Sequence, residues 1–255
     1  MRDMEGRVAI VTGGAGGIGS ATARRFAERG VRVVVADRDE AGAKRIADEI
    51  RGSGGEAEAV YVDVTDEASV NALVDAAVKR FGRLDIMFNN AGVFGDGARN
   101  FLDDPADEYF RVVSINQHGV FYGMRAAARA MRDAGGGGVI INTASIYAFI
   151  ADRHQLPYHA SKAAVVAMTK AAALDLARYN IRVVAVAPGM VNTGLVDNWR
   201  QDERVWNTIQ RAHMRRRMAE PDDVARVVVF LASDDARFIN GHAICVDDGA
   251  LSFKR

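Results

Sequence analysis

Residues 7–19 read Arg7-Val8-Ala9-Ile10-Val11-Thr12-Gly13-Gly14-Ala15-Gly16-Gly17-Ile18-Gly19, an apolar run followed by five glycines in seven residues. The glycines can be read as Gly14-x-Gly16-x-x-Gly19 or as Gly13-x-x-x-Gly17-x-Gly19. A loop of this kind between a strand and a helix lets backbone N–H groups approach a pyrophosphate at the helix N-terminus. The segment therefore predicts a dinucleotide-binding unit, with Gly13, Gly17, Ile18 and Gly19 among the cofactor-binding residues.

Short runs rich in valine and isoleucine alternate with helical patterns along the whole chain. This alternation is typical of repeated βαβ units and a parallel sheet. The predicted strands are Arg7–Thr12, Val31–Ala36, Ala57–Val62, Leu84–Phe88, Val139–Thr143, Ile181–Ala187 and Ala243–Val246. The predicted helices lie near Gly17–Arg29, Glu40–Arg51, Glu67–Phe81, Gln117–Asp133, Pro157–Ala177 and Pro221–Ala232, with Pro105–Ser114 leading into the fourth. We expect an α/β fold, a Rossmann-type doubly wound parallel sheet of seven strands with helices on both faces.

The stretch from Met190 to Met218 departs from this alternation and carries both tryptophans, Trp199 and Trp206. We expect a single dinucleotide-binding and catalytic domain over residues 1–255, with an insertion at about 190–218 that covers the carboxyl edge of the sheet. Two amphipathic helices that merely pack on the domain explain the pattern as well as a substrate lid does.

The composition limits the classes of partner. The chain has 33 basic and 33 acidic residues and a formal net charge of zero, so bulk electrostatics gives no case for binding nucleic acid or an anionic membrane. No stretch reaches the roughly 18 apolar residues of a membrane span, and the N-terminus has no apolar signal segment. We expect a cytoplasmic protein that acts on a small molecule.

The chain has one cysteine, Cys245, which cannot form an internal disulfide. Because it lies between Ile244 and Val246, we expect it to be a small core residue. With no second thiol, and with no third ligand to join His154 and His159, no metal site is predicted.

Tyr158 and Lys162 stand four residues apart in a predicted helix, which places them on one face. A unit charge at ~4 Å and an effective dielectric of ~20 contributes roughly 4 kcal/mol, which would lower the phenol pKa by about 3 units from ~10. Taken alone, the pair is more often an ordinary helix-surface contact. Ser145, thirteen residues before Tyr158, follows a predicted strand at the edge where such sheets place ligands. We therefore expect Tyr158 to act as a base near neutral pH.

Asp37 follows the second predicted strand, eighteen residues beyond Gly19. A carboxylate at that place accepts hydrogen bonds from both adenosine ribose hydroxyls and repels a 2′-phosphate. The expected cofactor is therefore NAD, with NADP less favoured. Arg38 is the residue that opposes this preference, because it can turn toward a phosphate.

The chain resembles the short-chain dehydrogenase/reductase family, in the variant with a Thr-Gly-x-x-x-Gly-x-Gly loop and Tyr-x-x-x-Lys, from Gly6 to about Gly249. The matching motifs are Thr12-Gly13 through Gly17-Ile18-Gly19, Asp63-Val64, Asn89-Asn90-Ala91-Gly92, Asn116, Ser145, Tyr158-x-x-x-Lys162, and Pro188-Gly189 followed by Thr193. The end of the chain departs from the pattern, because Asp247-Asp248-Gly249 stands where the family commonly has Asp-Gly-Gly.

The resemblance implies a catalytic set, which consists of Asn116, Ser145, Tyr158 and Lys162. Asn116 would position a water that links the site to solvent through Lys162, and Lys162 would also bind the nicotinamide ribose. Asp63 and Val64 would contact the adenine. The other residues expected at the cofactor are Asp37, Arg38, Asn90, Ala91, Gly92, Tyr158, Pro188, Gly189, Val191 and Thr193. The family resemblance also implies a homotetramer, and two triplets, Ala126-Ala127-Ala128 and Ala171-Ala172-Ala173, are expected to allow helices of different subunits to pack closely.

The side chains expected at the substrate pocket are mostly apolar. They are Phe94, Ile146, Tyr147, Phe149, His154, Met190, Trp199 and Trp206. We expect an NAD-dependent oxidoreductase that interconverts a secondary alcohol and its ketone by hydride transfer, with tyrosine as general acid and base. Alternatives are an enzyme of the same family acting on a sugar or a carrier-bound 3-oxoacyl chain, and a non-catalytic dinucleotide-sensing protein. We expect His154 and His159 not to be catalytic, because Tyr158 already provides the base.

Overall fold

The computed structural model describes residues 4–96, 100–196 and 203–253. Its described residues form a seven-stranded sheet in the order β3-β2-β1-β4-β5-β6-β7, with every pairing parallel. The strands are β1 (Val8–Thr12), β2 (Arg32–Asp37), β3 (Ala57–Tyr61), β4 (Ile86–Asn89), β5 (Gly138–Thr143), β6 (Ile181–Pro188) and β7 (Ala243–Val246). The predicted doubly wound α/β fold is thus confirmed.

The helices lie on both faces of this sheet. They are α1 (Gly17–Glu28), α2 (Glu40–Gly52), α3 (Glu67–Phe81), α4 (Ala106–Val113), α5 (Gly119–Ala134), α6 (Leu156–Leu176), α7 (Glu203–Gln210) and α8 (Pro221–Ala232). Successive side chains of a strand point to opposite faces, so Ile10 of β1 packs in the core under α3, α5 and α6. Its neighbours Ala9 and Val11 pack in the other core, under α1, α2 and α8.

The order of the strands reverses between β1 and β4, which pair with each other at the centre of the sheet. Connections from two such neighbouring strands leave toward opposite faces, and a crevice opens above their carboxyl ends. The glycine-rich loop follows β1 and Asn89-Asn90 closes β4, so both sequence motifs lie at this crevice.

Helices α4 and α5 are joined without a break by a π-helical turn, Ser114–His118. The N–H of Gly119 bonds to the carbonyl oxygen of Ser114, five residues earlier. This wider turn brings Asn116, which is fully buried, toward the crevice. Single π-turns of this kind are frequent at functional sites.

One expectation about small residues is wrong, and another is wrong for one of its two alanine triplets. Cys245 is exposed, because β7 is the last strand of the sheet and has a neighbour on one side only. Ala126, Ala127 and Ala128 are buried within the chain's own core, so this triplet is not free to pack against a second subunit.

Met190, Val196 and Met218 form a third, small apolar cluster between β6 and α8. Phe94, Trp206 and Ile209 pack against it. Val191 also forms a parallel bridge with Ala219, so the two ends of this stretch are tied together. The described part of residues 190–218 thus packs beside Phe94, at the carboxyl edge of the sheet.

Candidate active site

Two glycines of the glycine-rich loop, Gly17 and Gly19, leave no room for a side chain. A Cβ on Gly19 would lie 2.1 Å from the carbonyl oxygen of Gly13, and one on Gly17 would lie 2.7 Å from the methyl group of Thr193. Gly13 itself has a φ of +64°, which few other residues adopt. The backbone therefore packs as a compact cradle at the start of α1, and this fits a pyrophosphate bound at a helix N-terminus.

Thr12, the last residue of β1, fastens this cradle to the end of β4. Its hydroxyl oxygen accepts hydrogen bonds from the N–H groups of Asn90 (3.0 Å) and Ala91 (3.2 Å). The amide of Asn90 in turn donates to the carbonyl oxygen of Thr12 at 3.0 Å. The two motifs at the crevice are thereby held as one unit.

Asp37, at the end of β2, accepts a hydrogen bond from the N–H of Ala15 at 2.9 Å through one carboxylate oxygen. The other oxygen accepts from the N–H of Asp39 at 3.0 Å. Hydrogen bonds from Thr65, with a smaller contribution from the charge of Arg38, keep the pKa of Asp63 below its ordinary value. Both carboxylates line the cavity beside Arg38.

Tyr158 and Lys162 lie one turn apart near the start of α6, facing Ser145 at the end of β5. The Nζ of Lys162 donates to the carbonyl oxygen of Thr143 at 2.8 Å and lies 5.6 Å from the centre of the Tyr158 ring. All three side chains are almost completely buried and all three line the cavity. The fold thus brings the hydroxyl of Ser145, the phenol of Tyr158 and the amine of Lys162 together at one place in the cavity wall.

The electrostatics of this group differ from the prediction. Burial raises the pKa of Tyr158 to about 12, and the hydrogen bond with Ser145 offsets only part of that rise. Burial also lowers the pKa of Lys162 to about 8. The predicted lowering of the phenol pKa by Lys162 is therefore wrong for the protein's own groups, because loss of hydration outweighs the effect of a charge that is itself disfavoured.

Asn116, in the π-turn, forms two hydrogen bonds with the main chain of Val93. Its side-chain oxygen accepts from the N–H of Val93 at 2.8 Å, and its amide donates to the carbonyl oxygen of Val93 at 2.8 Å. The amide also lies 3.3 Å from the hydroxyl of Ser161. The side chain thus fixes the loop that carries Phe94, whose ring centre is 4.3 Å from that of Tyr158.

One cavity of about 530 Å³ joins the glycine-rich loop to Tyr158. Gly19 lies beneath the loop and Asn116 behind Val93, and neither lines the cavity. The other residues predicted for catalysis or the cofactor do line it: Gly13, Gly17, Ile18, Asp37, Arg38, Asp63, Val64, Asn90, Ala91, Gly92, Ser145, Tyr158, Lys162, Pro188, Gly189, Val191 and Thr193.

The residues predicted for the substrate are divided. Phe94, Tyr147 and Met190 line the cavity. Ile146 is buried outside the lining, Phe149 and His154 are exposed outside it, and Trp206 packs behind Met190. Trp199 lies outside the described residues. The cavity is also lined by residues that no sequence motif indicates, namely Val93, Arg111, Ile115, Leu195 and Val196.

His213 is a further residue at the site, and no sequence motif indicates it. Its Nε2 accepts a hydrogen bond from the N–H of Met190 at 3.1 Å, and the side chain is buried. A Cβ on Gly189 would lie 2.7 Å from the same nitrogen. His213 therefore supports the loop that runs from Pro188 to Val191 along the cavity.

A family model described as enoyl-(acyl carrier protein) reductase matches residues 13–250. Three dehydrogenases, each 38% or 39% identical to this chain, match 95% to 97% of its length. The chain belongs to the short-chain dehydrogenase/reductase family. Enzymes of this family are oxidoreductases that use nicotinamide dinucleotides and act on CH–OH groups, and the chain is one of them.

Three curated relatives show the range of chemistry in this part of the short-chain dehydrogenase/reductase family. The 2,5-dichloro-2,5-cyclohexadiene-1,4-diol dehydrogenase of Sphingobium indicum is 38% identical over 96% of both chains. The L-rhamnose 1-dehydrogenase (NAD(P)(+)) of Azotobacter vinelandii is 39% identical over 95% of this chain and 96% of its own. The cyclohexanol dehydrogenase of an Acinetobacter strain is 39% identical over 97% and 96%.

Among solved structures, a short-chain type dehydrogenase/reductase from Mycobacterium marinum superposes with a TM-score of 0.93. It is 37% identical and covers 99% of this chain and 98% of its own. No helix in the described part of the chain is long and apolar enough to cross a membrane.

Proposed function

We propose that this protein is an NAD-dependent dehydrogenase that interconverts a secondary alcohol and its ketone. The observation that carries the proposal is the cavity that joins the glycine-rich cradle and Asp37 at one end to Ser145, Tyr158 and Lys162 at the other. A nucleotide that spans the cradle would place its far end beside the phenol. Burying these polar side chains costs free energy, so their presence together favours an enzyme over a non-catalytic sensor.

In the proposed reaction, the Tyr158 phenolate removes the proton of the substrate hydroxyl, and the Ser145 hydroxyl holds the same oxygen by a hydrogen bond. The bound nicotinamide supplies a hydride acceptor and, when oxidised, a positive ring. Lys162, whose pKa of about 8 leaves it largely protonated at neutral pH, keeps a positive charge near the phenol. In reduction, Tyr158 returns the proton to the ketone oxygen.

The preference for NAD rests on Asp37. Its carboxylate is fixed by two backbone N–H groups, so it cannot swing away from a 2′-phosphate without losing both. Arg38 lies beside Asp63, and the negative charge of that carboxylate partly offsets the positive charge of Arg38. We therefore place NAD before NADP, although the rhamnose dehydrogenase relative is named for both cofactors.

The proposed substrate is a compact, largely apolar ring or chain that bears a secondary hydroxyl or ketone. Phe94, Met190 and Val196 offer apolar surface to the cavity. Two of the relatives are named for carbon-ring alcohols, and these support a six-membered carbocycle. Sugars remain the second candidate, because one relative is an L-rhamnose dehydrogenase.

A carrier-bound acyl chain is less favoured. Carrier docking would use exposed basic residues such as those of the run Arg215-Arg216-Arg217. Two of the three are already paired, Arg215 with Asp248 and Arg217 with Asp223. That run therefore offers less free positive charge than its sequence suggests.

The decisive experiment is to follow NADH formation with a panel of cyclic, aromatic and aliphatic secondary alcohols and underivatised sugars. We expect turnover of cyclic alcohols, of which cyclohexanol is the simplest probe, and none with Tyr158→Phe. Turnover of an aldose alone would shift the assignment to a sugar dehydrogenase. Tight NADH binding without turnover of any class would favour the sensor.

A further inference from the structure

His159 follows the catalytic tyrosine in the chain, but its imidazole contacts the segment Ile146–Gln155 and does not line the cavity. Its Nδ1 lies 2.8 Å from the carbonyl oxygen of Tyr147. Its Nε2 lies 3.0 Å from the backbone nitrogen of Asp152. Both nitrogens of the ring are thus used on the loop between β5 and α6.

The chemistry of the two partners fixes where the proton of the ring lies. A carbonyl oxygen only accepts, so Nδ1 carries a hydrogen, and a backbone N–H only donates, so Nε2 presents its lone pair. The carbonyl oxygen of Asp152 also lies 3.2 Å from Nε2, but the N–H of the same residue is the closer partner.

The residue held in this way, Tyr147, is a wall of the cavity. Its ring stands edge-on to that of Tyr158, with the centres 6.1 Å apart and the planes at 89°. Its N–H donates to the Ser145 hydroxyl oxygen at 3.2 Å, and its own hydroxyl donates to Asp152 at 3.2 Å. A shift of Tyr147 would therefore change both the shape of the cavity and the surroundings of the reacting hydroxyl.

We propose that His159 is a positioning residue that determines substrate selectivity by holding Tyr147 against the catalytic site. This inference rests on the proposed function, since it assigns the space between Tyr147 and Phe94 to the substrate. The fixed ring excludes bulky alcohols and orients compact ones toward Tyr158. His159 does not line the cavity, so we expect binding of the cofactor at the glycine-rich loop to be independent of it.

Two substitutions separate the two hydrogen bonds. In His159→Asn the side-chain amide can lie near the place of Nδ1 and donate to Tyr147, whereas in His159→Gln the longer side chain reaches toward Asp152. His159→Phe keeps the ring and removes both hydrogen bonds. The matched control is His242→Phe, at an exposed histidine near the last strand.

Kinetics with cyclohexanol and with a bulkier ring alcohol test the proposal. We expect kcat/KM for cyclohexanol to fall about tenfold in His159→Phe, mainly through a higher KM. The reason is that the variant loses the hydrogen bonds that hold Tyr147 in place. Selectivity against the bulkier alcohol should fall with it, while the Kd for NADH stays within about twofold. Asn should recover most of the loss, and Gln should not. Unchanged selectivity in His159→Phe, or equal recovery by Asn and Gln, would overturn the assignment.

A double-variant cycle tests whether His159 acts through Tyr147. In a Tyr147→Ala background, His159→Phe should have little further effect on selectivity. Additive losses would mean that His159 acts elsewhere.

Backbone hydrogen exchange gives a measurement that does not depend on the substrate. His159→Phe should speed exchange in a peptide covering residues 146–155 and leave residues 12–19 unchanged, whereas His242→Phe should affect neither. If no secondary alcohol is turned over but the exchange result holds, the proposed function and the assigned selectivity both fail, and only the hold of His159 on residues 146–155 stands. If alcohols are turned over and exchange at 146–155 is unaffected, the positioning role fails alone.

Discussion

The Nζ of Lys162 lies 2.8 Å from the carbonyl oxygen of Thr143, and this hydrogen bond holds an amine that is only 2% exposed. The lysine is retained at a cost in stability, because its pKa is lowered to about 8 by burial. A pKa lowered by this much destabilises the folded state by at most about 3 kcal/mol.

Lys162→Met should therefore unfold at a temperature equal to or above that of the wild type at pH 7. Because its pKa is lower in the folded state, Lys162 binds fewer protons there than in the unfolded state between about pH 8 and pH 10.5. The wild type therefore gains stability as the pH rises through that range. Melting curves at pH 7 and pH 10 should show the advantage of the variant shrinking. Lys170→Met, at an exposed lysine of the same helix, should show no such change.

Tyr158→Phe should abolish turnover while leaving NADH affinity nearly intact. It removes one oxygen from a pre-shaped site, and loss of general acid–base transfer costs roughly 10²- to 10⁴-fold. Activity above about a tenth of the wild-type rate would contradict the assignment of the base. Ser145→Ala should likewise lower the rate more than it lowers cofactor affinity.

The ionisation of Tyr158 can be followed by the ultraviolet absorbance of tyrosinate, with Tyr158→Phe subtracted. Because burial raises the pKa of this phenol to about 12, the free protein should show no Tyr158 phenolate below about pH 10. Saturation with NAD⁺ should lower the pKa of Tyr158, because the oxidised nicotinamide ring adds a positive charge. An unchanged titration would mean that the proton leaves Tyr158 only with substrate bound.

Asp37→Asn should move the cofactor preference toward NADP. The amide oxygen can still accept from the N–H of Ala15, while the charge that opposes a 2′-phosphate is removed. Like charges at close range cost on the order of a few kcal/mol, so we expect the ratio of NADPH to NADH affinity to rise more than about tenfold in fluorescence titrations. Asp48→Asn, at an exposed acid on α2, should leave the ratio unchanged.

Asp248→Gly should be more stable than Asp248→Ala. Asp248 has a φ of +45°, a conformation that glycine adopts without strain, and glycine is the residue the family commonly has there. Both variants lose the contact with Arg215, whose N–H and Nε bond to the carboxylate at 2.7 and 2.6 Å. The difference between them isolates the backbone strain, and chemical denaturation should give about 1 kcal/mol.

The proposed homotetramer has a different basis from the alanines of α5. Phe110, Phe121 and Leu174 are 64%, 41% and 81% exposed on α4, α5 and α6, and side chains of this size favour burial against another subunit. Light scattering should give four times the chain mass at micromolar concentration. A stable monomer would end the proposal, and Leu174→Glu should weaken assembly if α6 contributes to it.

Local spacing explains why the sheet and the grouping of Tyr158 with Lys162 were predictable. The glycines, the apolar runs and the pair Tyr158 and Lys162 are all defined within a few residues of each other, so sequence periodicity determines them. The predicted boundaries of strands differ from those observed by no more than two residues, as for β4, expected from Leu84 and observed from Ile86.

Effects that depend on distant parts of the chain were not predictable. The pKa of Tyr158 reflects burial under several elements, and no spacing of residues contains that information. His213 reaches Met190 across 23 residues, within a stretch that has no clear pattern. The exposure of Cys245 depends on which strand ends the sheet, and its own neighbours in the sequence are apolar in either case.

The π-turn at Ser114–His118 makes the number of residues between α4 and α5 a condition for the shape of the cavity. The π-turn holds one residue more than an α-helical turn, so removing a residue from it would restore a regular helix and change the direction in which Asn116 leaves the helix. Asn116 would then point away from Val93, and the loop that carries Phe94 would lose its clamp. A one-residue deletion in this turn should therefore lower activity even though Ser145, Tyr158 and Lys162 are all kept.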